Sequence, residues 1–449
     1  MGAATDLAEG RDGPILTDRR FLAGVTLLGI LATALACWYL DAASRAGRFG
    51  PLTDALFVSP YWDDARQVAS GLLPYRDFPL EYPPLSLPVF VLPWILPFGG
   101  ADYASYRKGF EVVMTVIVMG FVPVVVATAW ALRATRWQVV AAVVVVAASP
   151  LLLGPLMISR YDPWPALLTG VATLAAVLGR HRLGLAFLAL GALAKIYPAF
   201  LVPVFLIYAW KRAGPREAAF ALGTGVLVGL LGFAPFLAAG GDALLEPFLR
   251  TFSRPLQIES LGASVLIGLH AWLGLDPGHV IYTFLSFNLD GGLADAVSTL
   301  QSIALAGALV GLWLLTALGG ASRRQLVVSA AAVLCTTVAL GKVLSPQYVI
   351  WLVPAVAILA PEWGIRPLVV IAAILALTQV YYPGMYARYL LEFDATATLA
   401  ILERNLAVAG LAVALVWATW RWAARPRRRP GPPPDPAPAG AGSAGPPWP

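Results

Sequence analysis

The sequence predicts an all-α fold, a polytopic bundle of membrane-spanning helices, on three observations. Fifty-nine per cent of the 449 residues are apolar and only 12% are charged, where a soluble domain carries about a quarter charged residues; mean hydropathy is +0.74. Apolar runs of roughly 20 residues recur along the chain, the length that crosses ~30 Å of hydrocarbon as a helix. These runs do not alternate in polarity: 139–148 contains only Val and Ala, whereas a membrane β-barrel alternates over ~10-residue segments.

In chain order, residues 1–20 are polar and read as a cytoplasmic segment rather than a cleaved signal peptide. About ten full spans are expected within a membrane domain at 21–424, at 21–40, 109–132, 137–155, 164–179, 217–239, 297–318, 326–341, 347–361, 367–383 and 403–424. The apolar stretch 183–210 is interrupted by Lys195 and Pro198 and flanked by basic residues at both ends. It is expected as a split or re-entrant pair of half-helices that meet near Lys195–Pro198. The tail 425–449 opens with Arg425, Arg427, Arg428 and Arg429 and continues in Pro, Gly and Ala. That composition cannot build a core and predicts disorder.

The paired reading of 183–210 fixes the sidedness. With Arg11, Arg19 and Arg20 in the cytoplasm, Arg133 and Arg136, Arg180 and Arg182, Lys211 and Arg212, Arg323 and Arg324, Arg366 and the arginine tail all fall inside. Both termini are then cytoplasmic in a multi-pass cell-membrane protein. The outer side receives the long loops 41–106 and 240–296 and the breaks near Arg160, Lys195 and Lys342. The net charge of +6 is accordingly a topology signal and implies no nucleic-acid partner. Cys37 and Cys335 lie in apolar segments and read as buried small side chains.

Five polar clusters collect on that outer side. The first loop supplies carboxylates at Asp54, Asp63, Asp64, Asp77 and Glu81 as candidate catalytic groups, beside Arg76 and the ring-stacking surfaces of Tyr61, Tyr75 and Tyr82. A carboxylate next to a cation suits a general base beside an anion site. Ser159-Arg-Tyr-Asp adds Arg160 and Asp162, and Ala194-Lys-Ile-Tyr-Pro adds Lys195. A lysine in hydrocarbon costs about 2.5–3.5 kcal/mol on insertion scales, so Lys195 should face a polar cavity and pair with an anion. The segment 254–261 offers Arg254, Gln257 and Glu259, and 341–351 offers Lys342, Ser345, Gln347 and Tyr348. Together Arg76, Arg160, Lys195, Arg254 and Lys342 form a candidate phosphate or pyrophosphate cradle. A transporter or flippase of a lipid-linked anion is the alternative; it would place its critical charges near the bilayer midplane.

Five motifs, Gly71-Leu-Leu-Pro-Tyr-Arg-Asp-Phe-Pro-Leu-Glu-Tyr-Pro-Pro, Arg160-Tyr-Asp-Pro-Trp-Pro-Ala-Leu, Ala194-Lys-Ile-Tyr-Pro, Arg254-Pro-Leu-Gln-Ile-Glu-Ser and Leu344-Ser-Pro-Gln-Tyr-Val-Ile-Trp, run in order over most of the chain. Their set resembles glycosyltransferase family 87, formerly domain of unknown function 2029, of the GT-C type, in an actinobacterial-like composition. The resemblance implies a GT-C-like bundle that moves a sugar, mannose or arabinofuranose, from a polyprenyl-phosphate donor to a cell-envelope glycolipid or glycan, with membrane lipid as surroundings. It also implies an aspartate of the first outer loop as general base, shortly before the tyrosine matched by Tyr61. Asp54 is the nearest such residue at a longer spacing, with Asp63 and Asp64 as rivals. The scheme requires no metal cofactor. The Asp63–Asp64 pair is a weak hint of one, and the three histidines show no ligand spacing.

Overall fold

The structure, a computed structural model, describes residues 18–49, 58–96, 102–244, 249 and 253–424. It is mostly helical, 79% helix and 4% strand. Asp54 and the tail 425–449 lie outside the described residues.

Helix α1 (Arg19–Arg45) starts where the Asp18 carboxylate accepts the amides of Arg20 and Phe21, satisfying donors the helix itself leaves open. The first long loop forms two short helices, α2 (Ser59–Ala69) and α3 (Leu87–Ile95). Helices α4 (Tyr103–Met119) and α5 (Phe121–Ala131) run on as one 29-residue apolar segment. Helix α6 (Arg136–Leu153) opens with a capping box between Thr135 and Gln138. Then come α7 (Pro163–Val177), α8 (His181–Ala194), α9 (Val202–Ala213) and α10 (Pro215–Gly240). The second long loop carries α11 (Leu261–Leu273) and a small antiparallel sheet of β1 (Leu256–Gln257), β2 (His279–Thr283) and β3 (Ser286–Asp290), in the order β1-β3-β2. The chain continues through the long α12 (Gly292–Leu318) and α13 (Arg323–Leu340), the short α14 (Leu352–Ala357), α15 (Arg366–Tyr381), the short α16 (Tyr386–Glu392) and the long α17 (Ala395–Ala423).

Seven of these segments are long and apolar enough to cross a membrane, and α15 with α16, bent by 64°, makes an eighth. Among the described residues this gives seven or eight such segments by length and composition, against the ten full spans expected, with five shorter apolar helices beside them. Residues 164–179 form only the 15-residue α7, about 22 Å at 1.5 Å per residue. Residues 347–361 break into a 3₁₀ turn (Pro346–Trp351), α14 and a single further turn, because Pro346 and Pro354 interrupt the backbone ladder. The burial pattern fits immersion in lipid. On α10, Val226, Leu227, Leu230 and Leu231 are exposed, as are Leu27, Leu28, Leu31 and Leu35 of α1. Contiguous exposed aliphatic faces of this kind are rare on water-soluble monomers.

The interrupted stretch folds as a hairpin. Helix α8 ends at Ala194, Lys195 is extended, a 3₁₀ turn covers Tyr197–Leu201, and α9 follows. Its two feet lie together: the His181 ring is 5.5 Å from Tyr208, and Arg182 holds Glu217 at 2.7 Å just beyond α9. The basic turns gather at that same end. Arg136 pairs with Asp18 at 3.1 Å and Arg324 with Glu362 at 3.2 Å. Arg323 donates to the Ala131 carbonyl, and Lys211 donates to the carbonyls of Thr316 and Gly319. Lys195, at the tip of the hairpin, points away from this end.

Candidate active site

Around that tip the bundle opens into a cavity of about 1360 Å³, above the ~300–1,000 Å³ of ordinary small-molecule pockets. Its wall combines all five cationic candidates, Arg76, Arg160, Lys195, Arg254 and Lys342, with three carboxylates, Asp77, Glu81 and Glu259. With Asp162 paired to Lys195 just behind the wall, five cations face four carboxylates, which leaves a small positive excess that favours an anionic ligand.

The first-loop wall is a tight turn. The Asp77 carboxylate accepts Arg76 Nε at 2.8 Å and the Leu73 amide at 2.8 Å, and those bonds hold it below the usual carboxylate range. Tyr75 sits at φ 66°, and its hydroxyl donates to the Tyr82 carbonyl at 2.5 Å. This turn aims Glu81 at the cavity, where its carboxylate lies 3.9 Å from Arg254. Arg254 also donates to the Phe284 carbonyl, at the tip of the β2–β3 hairpin, at 2.6 Å.

The second wall is a buried ion pair in an aromatic cage. Lys195 Nζ donates to Asp162 Oδ1 at 2.7 Å, and Trp351 Nε1 donates to the same oxygen at 2.8 Å. The ammonium sits 4.8 Å from the Tyr161 ring, 4.7 Å from Tyr348 and 5.2 Å from Trp351, within cation–π range. The anion expected for Lys195 is thus Asp162, which is fully buried and lies behind the wall rather than on it. Next to it Arg160 bonds the hydroxyls of Tyr61 and Tyr382.

The third wall comes from the second long loop and the break at Gly341–Ser345. The Gln257 amide donates to the Lys342 carbonyl at 2.9 Å, and its side chain donates to Ser345 Oγ at 3.0 Å. Burial lowers the Lys342 ammonium from its ordinary value. Glu259 is 3% exposed; Oε1 accepts the Tyr386 hydroxyl at 2.8 Å. Burial pushes this carboxyl up to about 7, against the lowering effect of Tyr386 and Arg404.

No family model matches the chain, and no curated protein matches it in sequence.

Of the residues singled out in the sequence, Tyr75, Tyr82, Gln257, Glu259, Ser345, Gln347 and Tyr348 line the cavity together with the cations, Asp77 and Glu81. Four do not. Tyr61 is buried in an aromatic core, 4.6 Å from Phe90 and 5.1 Å from Phe110, so its ring is not open for stacking on a sugar. Asp63 faces outward and pairs with Arg66 at 3.3 Å. Asp64 is half-buried beside the cavity, off its wall. Burial, then Asp63 and Glu81, push its carboxyl up to about 7. Asp162 is the fourth, as above. Among the described residues no group of three or more His, Cys, Asp or Glu side chains gathers as a metal site.

A layer beneath Glu259 is not among the residues expected from the sequence. Arg404 is fully buried, and its Nη2 donates to the Glu259 carbonyl at 3.2 Å and the Tyr381 hydroxyl at 2.9 Å. Asn405 Nδ2 donates to the same carbonyl at 3.2 Å. An arginine followed by a long apolar run is the available signal. A span boundary at 403 disguises it as an end residue, whereas α17 starts at Ala395 and carries it more than two turns inward.

Proposed function

We propose that this chain is a membrane glycosyltransferase that moves a sugar from a polyprenyl-phosphate donor to a glycolipid or glycan at the non-cytoplasmic face. The observation that carries the reading is the convergence of Arg76, Arg160, Lys195, Arg254 and Lys342 on one large cavity at the end opposite the basic turns. Such a wall holds a lipid phosphate and takes up the negative charge that develops on it as the sugar leaves. Arginine offers bidentate contacts to phosphate and lysine a compact charge. The concentration of these groups at one end favours this reading over a transporter, whose site would open to both ends. Within the first loop, Asp77 is committed to Arg76 and Asp63 faces outward on Arg66, which leaves Asp64 and Glu81 as its described candidates for activating the acceptor hydroxyl; the resemblance to family 87 names Asp54 as well.

The test is transfer of radiolabelled sugar by the purified protein in lipid nanodiscs. Polyprenyl-phosphate mannose and polyprenyl-phosphate arabinofuranose serve as separate donors, with an envelope glycolipid extract as acceptor. Label entering the extract supports the reading. Failure with both donors, alongside transport of polyprenyl phosphate across proteoliposomes, replaces it with the transporter.

A further inference from the structure

Resting on that reading, we propose that the tip of the β2–β3 hairpin, Phe284-Leu285, and the end of α16 at Leu391 form an apolar lip that receives the lipid chain of the acceptor. The acceptor is then a lipid-anchored glycan and not a free one. Two apolar surfaces meet the cavity. The deeper one is made by Phe200, just past the tip of the helical hairpin, and by Leu305 and Leu309 of α12. At 1.5 Å per residue those two leucines stand about 20 and 25 Å from the start of α12 at Gly292, at hydrocarbon depth in a layer of ~30 Å. Trp313 Nε1 donates to the Phe200 carbonyl at 3.1 Å and ties α12 to the helical hairpin there. This surface suits the long chain of the polyprenyl donor.

The second surface is at the mouth. Tyr282, Leu285 and Leu391 line the cavity and yet are 59%, 56% and 78% exposed. Between the two surfaces run β1 and the Gly341–Ser345 break, where the Gln257 amide donates to the Lys342 carbonyl and Gln301 of α12 donates to the Gly341 carbonyl, each at 2.9 Å. A donor chain in the deeper surface therefore leaves the mouth open, and a second apolar chain laid there removes its exposed side chains from water. The turn supplies an independent observation. Its two central residues, Phe284 and Leu285, have φ of 54° and 51°, a pair of angles that Asn-Gly adopts readily and bulky side chains resist. The strained tip is held by Arg254, which donates to the Phe284 carbonyl and lies 5.6 Å from its ring. Ring contacts from Tyr282 to Phe287 at 5.0 Å and from Phe287 to Tyr386 at 6.3 Å fasten the hairpin to α16. Apolar bulk at a strained turn, exposed and on the wall of the site, points to a ligand contact.

The experiment measures transfer in nanodiscs from polyprenyl-phosphate mannose, or arabinofuranose if that is the active donor, to an envelope glycolipid and to the same glycolipid stripped of its acyl chains by mild alkali. Leu285→Ser with Leu391→Ser should raise KM for the intact glycolipid about tenfold, the scale of one leucine side chain withdrawn from apolar contact. The loss should be confined to that acceptor, with KM for the deacylated form and Kd for polyprenyl phosphate unchanged. Leu275→Ser, at an exposed leucine of the same loop that lies off the cavity wall, should alter neither acceptor. Phe284→Asn with Leu285→Gly relaxes the turn; it should melt above wild type and still lose the intact glycolipid, a pairing that a purely structural hairpin does not give. Equal loss with both acceptors would make the lip a leaflet anchor and overturn the proposal, as would no loss with either or a relaxed turn that keeps the wild-type KM for the glycolipid. Wild-type protein without transfer from either donor to either acceptor removes the glycosyltransferase reading itself, a result distinct from an active enzyme indifferent to the lip.

Discussion

The two ends of the bundle both carry charge, but they give it different partners. At the basic end the cations meet a carboxylate or a helix-end carbonyl of a neighbouring segment, as in Arg182–Glu217, Arg324–Glu362 and Lys211 on Thr316 and Gly319. These contacts are near the surface and tie segments together. At the cavity end the cations turn toward one shared space, and their partners include aromatic faces, tyrosine hydroxyls and a deeply buried aspartate. Charge at a solvated helix end is tolerated almost anywhere. Charge gathered around a void within an apolar bundle is a costlier arrangement, and it marks that end as the candidate site.

The contrast is tested most severely at Lys195–Asp162. Asp162→Ala leaves a mostly buried ammonium without its anion and should destabilise the protein by about 3–5 kcal/mol, read as a lowered thermal melt in nanodiscs. The double variant Asp162→Ala with Lys195→Met should regain much of that stability and still fail to transfer sugar. A double variant that is stable and active would show the pair to be structural only.

A smaller effect is expected for Arg254→Lys, which keeps the charge and loses the guanidinium fork. The Kd for polyprenyl phosphate should rise roughly tenfold, the loss of about one charge-assisted hydrogen bond. An unchanged Kd would remove Arg254 from the phosphate cradle.

Asp64 offers a test through pH. Its folded-state carboxyl is raised to about 7, above the ~3.9 of an unfolded chain. The stability it contributes is full below about pH 4 and is lost as pH rises through about 7. Wild type should therefore melt lower at pH 8 than at pH 5, and Asp64→Asn should flatten that decline. The smallest effect belongs to the basic end: breaking the exposed Arg182–Glu217 pair with Arg182→Ala should cost less than about 1 kcal/mol and leave transfer unaltered.

Much of this arrangement is legible in the sequence wherever a physical cost marks the residue. Lys195 and Pro198 inside an apolar stretch force the hairpin, because neither a free ammonium nor a helix-interior proline fits hydrocarbon. Arg76 and Arg254 carry no such mark; they lie in the long polar loops and join the cluster only through the way those loops fold back over the hairpin tip. What sequence order does not carry is which way a side chain points within a polar loop. Tyr61, Asp63 and Asp64 are consecutive or nearly so, yet α2 turns them to a core, to water and to a half-buried flank respectively. The commitment of Asp77 to its neighbour Arg76, and the small sheet that places Gln257, depend on turn geometry that composition does not fix. Arg404 is hidden when the last span is begun too late in the chain.

The central claim is that sugar leaves a lipid phosphate within the cavity at the outer face. Its most direct measurement is transfer in sealed right-side-out vesicles loaded with radiolabelled polyprenyl-phosphate sugar, with the product then treated by a membrane-impermeant glycosidase. The account predicts labelled product that the external enzyme removes, and loss of that product in Arg160→Ala. No labelled product, or product fully protected from the outside, would contradict it.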